Sequence, residues 1–140
     1  MILRTPAERK ALLERSETVA VVGASPKADR PSHDIFVYLR EHGYNVVPIT
    51  PAAESVAGAI SYPTVAAYAA AQGAPDLVNV FRRPERCVEV VDDAIAAGAK
   101  AIWFQLGVVN QEAIEKADRA GLDVVVDLCI KVEHRALISF

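Results

Sequence analysis

The residues best suited to chemistry gather in one stretch: Gly23, Ala24 and Ser25 close an apolar run, and Lys27, Arg30 and Ser32 follow closely. A glycine there permits a tight turn, and two small residues let a phosphate come near the backbone. Ser25 adds a hydroxyl donor, Lys27 and Arg30 add charge, and Ser32 is placed to cap the next helix or offer a further hydrogen bond. A turn of this kind that opens a helix holds an anion, because free N–H groups and the positive end of the helix dipole point the same way. Measured against the dinucleotide pattern G-x-G-x-x-G, the positions Gly23, Ser25 and Ala28 keep one glycine of three. By itself the stretch specifies an anion turn and no particular cofactor.

Other reactive side chains are dispersed. The two cysteines, Cys87 and Cys129, and the three histidines, His33, His42 and His134, never fall at metal-ligand spacing, so no metal is expected. Cys129 follows the fifth apolar run, where a crevice would open, and reads either as a thiol partner for a ligand or as a small hydrophobe. His134 has no nucleophile or acid spaced to work with it, which favours a structural histidine and leaves no catalytic residue to nominate. His33 stands at the start of the helix behind the anion turn, facing either the anion or water. Gln105 and Gly107 end the fourth run, where an amide and a close-approach glycine would meet a ligand. Trp103 and Phe104 just before them read as core.

Net charge is −3 with lysines and arginines scattered, which argues against a broad basic face for nucleic acid or anionic membranes. No apolar run is long enough for a membrane span, and the charged stretch from Met1 to Glu17 resembles neither a signal peptide nor an anchor. With so few cysteines, a reducing cytosolic setting is the expectation. Any protein partner is left open.

These residues need a scaffold, and the remaining pattern supplies one. Thr5-Pro6 with Glu8 reads as a capped N-terminal helix. Five apolar runs follow: Thr18 to Val22, Tyr44 to Ile49, Leu77 to Phe81, Ala101 to Gln105 and Leu122 to Val126. Between them lie helical stretches at Pro31 to His42, Val65 to Gln72, Pro84 to Ala97 and Asn110 to Ala120, several ending at glycine. Such alternation predicts one α/β domain over residues 1–140, a Rossmann-like doubly wound five-stranded parallel sheet with an extra N-terminal helix. The expected strand order is 3-2-1-4-5, with the ligand crevice at the carboxyl ends of strands one and four. Pro48 cannot donate to a ladder, which favours an edge or a strand end for the second strand.

The end of that second strand bears on the ligand. A nicotinamide dinucleotide site would carry Asp or Glu there for the ribose, whereas this strand ends Ile49-Thr50-Pro51 and the first acid is Glu54. That disfavours NAD, although a small NAD(P)-linked oxidoreductase remains the competing enzyme reading on fold alone. An apolar lip suits an adenine face, and a 3′-phosphorylated adenosine would need a cation from Arg82, Arg83, Lys27 or Arg30.

Six ordered segments together resemble a known family: Val21-Val22-Gly23-Ala24-Ser25, Arg30-Pro31-Ser32, Gly43 to Pro51, Val80-Phe81-Arg82-Arg83-Pro84-Glu85, Trp103 to Gly107, and Asp127 to His134. They are similar to the stand-alone coenzyme A (CoA) binding proteins, and to the CoA-binding domain at the N-terminus of the succinyl-CoA synthetase α subunit. The resemblance implies non-covalent binding of CoA or an acyl-CoA. The pyrophosphate would lie at Gly23 to Ser25 and near Arg30 and Ser32, the adenine by Thr50 and Pro51, and Val80, Phe81 and Arg82 would border the nucleotide. In the synthetase domain a lysine follows the Thr-Pro pair; here Ala52 and Ala53 follow, and that charge is missing. The phosphohistidine domain and partner subunit of the synthetase have no counterpart in the matched segments, so the resemblance implies binding without ligase chemistry. A variant of this reading pairs Cys129 with the CoA thiol as a mixed disulfide.

Overall fold

In the computed structural model, which describes residues 1–138, the five apolar runs are the strands of one parallel sheet. They are β1 (Thr18–Val22), β2 (Asn45–Ile49), β3 (Leu77–Val80), β4 (Ala101–Phe104) and β5 (Asp123–Val126). The helices are α1 (Pro6–Arg15), α2 (Pro31–Glu41), α3 (Val65–Gln72), α4 (Cys87–Ala96), α5 (Gln111–Arg119) and α6 (Ile130–Leu137). Local chemistry sets their starts. Thr5 and Glu8 close a capping box on α1, Thr64 caps α3 and Asn110 caps α5. Pro84 opens a short 3₁₀ turn, Pro84–Arg86, before α4, where a single helix from Pro84 is expected from sequence.

Strand order departs from expectation. β1 pairs with β2 on one side and with β3 on the other, then β4 and β5 follow, giving 2-1-3-4-5 in place of 3-2-1-4-5. Pro48 supplies the reason. The outward groups of β2 meet the Tyr62 segment: Tyr62 N–H donates to the Pro48 carbonyl at 3.1 Å and Thr50 N–H to the Tyr62 carbonyl at 2.9 Å. Pro48 therefore turns its donorless nitrogen away from β1, and a third strand added there would lack a ladder bond. β2 is the edge, and β3 settles on the open side of β1.

Two packed layers cover the sheet. Ala20, Val22, Val78, Val80, Ile102 and Phe104 face α3, α4 and α5, while Val19, Val21, Leu77, Ala101, Trp103 and Val125 face α1, α2 and α6. Alternate residues of each strand thus reach opposite layers, as the pleat requires. The chain crosses one face between β1 and β2 and the other between β2 and β3. The reversal puts the topological switch, where doubly wound sheets open a crevice, at the carboxyl ends of β1 and β3, not one and four.

Two elements go beyond the sequence reading. The stretch from Thr50 to Pro63 contains a small antiparallel hairpin, Ser55–Val56 with Ala59–Ile60. Beyond β5, α6 docks its buried Ile130 and His134 against the layer that holds α2. No described helix is long and apolar enough to cross a membrane.

Candidate functional site

The turn at Gly23 to Ser25 lies at the switch point and is stitched to both neighbours of β1. Gly23 N–H donates to the Ile49 carbonyl at 2.9 Å, and Phe81 N–H donates to the Val22 carbonyl at 2.8 Å. Gly23 has φ +85°, and a Cβ built on it would fall 2.0 Å from the Phe81 carbonyl oxygen. Only glycine lets the chain turn this close to β3. Beyond it, the Ser25 hydroxyl accepts the Lys27 N–H at 3.1 Å. His33 Nδ1 lies 2.9 Å from the Ser25 carbonyl, so it must donate and the ring closes the turn from behind. This answers the open question about His33: its Nδ1 proton is committed to the backbone.

Arg30 stands at the N-cap of α2 and makes no side-chain cap bond, with Pro31 as the first helical residue. The positive end of α2 therefore stays open toward a depression of about 460 Å³ lined by Gly23, Ser25, Lys27, Arg30, Ser32 and Phe81. A second depression, on the α3 and α4 side, is lined by Val22, Ile49, Pro51, Thr64 and Arg82. A third, between the starts of α2 and α6, is lined by Ile35, Phe81, Gln105, Leu106, Cys129 and Lys131. The three compartments surround the ends of β1 and β3.

Charge in this region is local. Among the described residues Lys27, Arg30 and Arg82 make no ion pair, whereas Arg83 pairs with Glu85 at 3.5 Å and is 77% exposed. The double arginine thus divides: Arg82 lines a cleft and Arg83 is a solvated pair. Lys131 pairs with Asp34 at 2.9 Å.

The other nominated residues fall in different places. Thr50 is buried, and its Oγ1 accepts the Ala52 N–H at 3.1 Å, so it shapes the lip while Pro51 and Ala52 line it. Val80 is wholly buried beneath the site. Gly107 donates its N–H to Asp127 Oδ1 at 2.7 Å, which occupies the donor. Gln105 is buried at the base of the third cleft, its Oε1 accepting from Asn79 Nδ2 at 3.0 Å and from Ile130 N–H at 2.9 Å. Cys129 is half-buried at that cleft, at the N-cap of α6. Cys87 is fully buried, and burial together with Glu85 pushes its thiol up to about 11.

His134 sits on the far side of the molecule from the turn. It is buried, with Nδ1 2.8 Å from the Tyr38 hydroxyl, and burial plus neighbouring His42 holds it below its ordinary value. It ties α6 to α2. Sequence reasoning missed Ile35, Leu106, Lys131 and Ala52 as lining residues. Ile35 carried a helical-face signal but not its direction, and the others depend on α6 and the loops closing over the sheet.

A family model for the CoA binding domain matches residues 17–135. A Bacillus subtilis (strain 168) protein described as uncharacterized protein YneT is 38% identical over 128 residues, 91% of this chain and 93% of that one. The solved structure of a hypothetical protein from Pyrococcus horikoshii OT3 superposes with a TM-score of 0.92 at 39% identity, covering 96% of this chain and 93% of the other. The apo form of the dinucleotide-forming acetyl-coenzyme A synthetase 1 of Ca. Korarchaeum cryptofilum is similar at 26% identity and a TM-score of 0.64. That match covers 77% of this chain but only 25% of the synthetase.

Proposed function

The chain belongs to the CoA binding domain family, and on that premise we propose that it binds coenzyme A or an acyl-CoA non-covalently at the carboxyl edge of its sheet, without ligase catalysis of its own. The observation that carries this reading is the Gly23 to Ser25 turn, which presents the open end of α2 beside the unpaired Lys27 and Arg30. A pyrophosphate there meets backbone donors, a helix dipole and two cations. Pro51 and Ile49 form an apolar lip for the adenine. Arg82, half-buried in the same depression as that lip, takes the 3′-phosphate in place of the lysine that the synthetase domain carries after its Thr-Pro pair.

An NAD(P)-linked oxidoreductase is the weaker reading, because the end of β2, Ile49 to Ala53, offers no carboxylate to a ribose. Calorimetry with CoA, dephospho-CoA and NAD separates the two. CoA is expected to bind and NAD is not. Arg82→Gln is expected to weaken CoA by about tenfold or more, the loss of one charge-assisted bond, while dephospho-CoA changes little. Absence of CoA binding up to millimolar concentration overturns the proposal.

A further inference from the structure

The cleft between the starts of α2 and α6 opens off the anion turn, since Pro31 and Phe81 line both. One polar atom in it has a direction fixed by its neighbours. Gln105 is only 4% exposed, and both groups that meet its Oε1, Asn79 Nδ2 and Ile130 N–H, are donors. They fix which end of the amide is oxygen. Nε2 is left as a donor with no acceptor among the described residues, on a side chain that lines the cleft. Unlike Asn79 Oδ1, which is fully buried and unpartnered, Nε2 keeps contact with solvent in the cleft, so this donor of fixed direction is open to an acceptor brought from outside the chain.

The rest of the cleft limits what brings that acceptor. Ile35, Phe81 and Leu106 make apolar walls, and Cys129 stands at the side. The one cation, Lys131, is already neutralised by Asp34. The occupant should therefore carry a carbonyl oxygen next to a short apolar group, with no second charge.

Building on the CoA reading above, we propose that this cleft receives the thioester end of an acyl-CoA. Gln105 Nε2 donates to the thioester carbonyl, and a short, uncharged acyl group lies among Ile35, Phe81 and Leu106. The arm leaves the phosphates at Gly23 to Ser25, passes Pro31 and Phe81, and ends beside Cys129. An acyl group ending in a carboxylate is disfavoured, because Lys131 is already paired and its partner Asp34, which lines the same cleft, repels a second carboxylate.

The test uses the full chain with butyryl-CoA, succinyl-CoA and adenosine 3′,5′-bisphosphate, which keeps the adenine, the 3′-phosphate and the first 5′-phosphate but lacks the second 5′-phosphate and the arm. Binding is read by calorimetry, and alkylation of Cys129 by iodoacetamide is followed by mass spectrometry with buried Cys87 as internal control. Butyryl-CoA should slow alkylation by about tenfold or more, as expected for an occluded thiol, while the bisphosphate binds without protecting it. Succinyl-CoA should bind more weakly than butyryl-CoA. Gln105→Glu keeps the oxygen that Asn79 and Ile130 use and replaces the donor, so butyryl-CoA should weaken by about tenfold with the bisphosphate unchanged. If that variant does not fold, Leu106→Asp at the 69% exposed rim carries the same comparison. Binding of butyryl-CoA and the bisphosphate with equal affinity and no protection of Cys129 overturns the cleft assignment and leaves the CoA reading standing. Binding of neither overturns both.

Discussion

Replacing Gly23 with alanine tests the close approach on which the site depends. Two costs can be read from the structure. At φ +85° an L-residue is strained by about 1–2 kcal/mol. The added Cβ would also lie 2.0 Å from the Phe81 carbonyl oxygen, whereas real Cβ atoms essentially never come within 3.0 Å, so β3 and the turn must part by an ångström or more. Phe81 is not free to retreat, since its own N–H is bonded to Val22, and losing that bond costs about 1 kcal/mol more. With the disturbed packing beneath, Gly23→Ala should lose about 3–5 kcal/mol, a large part of the ~5–15 kcal/mol that holds a typical domain together. Gly121→Ala is the control. Gly121 has φ +88° but nothing within 4 Å of the added atom, so it should lose only the strain, about 1–2 kcal/mol. Urea unfolding with linear extrapolation gives both values, and a CoA titration on folded Gly23→Ala shows whether the turn still holds a ligand. If the two variants lose equal stability, the contact with Phe81 does not constrain the turn and the steric argument is wrong.

Two further outcomes follow from groups outside the turn. His134 has a folded-state pKa depressed by burial and by His42, so between that value and the ordinary 6.5 the unfolded chain binds a proton that the folded chain refuses. Stability should be level above about pH 6.5, fall as the pH drops below it, and level again beneath the folded pKa. Unfolding midpoints from pH 7.5 down to 5 should show this slope, and His134→Asn should lessen it; a slope unchanged in that variant would assign the effect elsewhere. Asp93, on α4, accepts the Val65 and Ala66 N–H groups at 2.7 and 2.9 Å and so caps α3 from a neighbouring helix. Asp93→Ala should cost about 1–3 kcal/mol for two buried-end donors left unmet, and a thermal melt indistinguishable from the parent would count against it.

Most of the scaffold was legible because its signals are local. Apolar runs, caps at Thr5 and Asn110, and prolines at helix starts depend on a few adjacent residues, and each element they predict is present. The tight turn at Gly23 was legible for the same reason. Strand order was not, because it is decided between segments far apart in the chain. Even so, the clue was in hand: Pro48 favoured an edge, and following it through would have put the third strand beside the first. The same limit explains the site residues. Arg82 and Arg83 are neighbours in sequence and part company only when Glu85 takes one of them. Gly107 looked free until Asp127 was brought to it across a strand. Gln105 was singled out for its position, but the direction of its amide depends on Asn79 and Ile130, which only the packed sheet brings together.

Both margins of the sheet are occupied by the chain itself. On one side Tyr62 bonds across Pro48 and Thr50; on the other, Leu3 N–H donates to the Val124 carbonyl at 2.8 Å and Val124 N–H to the Met1 carbonyl at 2.9 Å. A foreign strand approaching edge-on therefore finds these ladder positions taken at either end. Crowded solutions of this protein should resist, at these two margins, the strand-by-strand accretion that leads to fibrils.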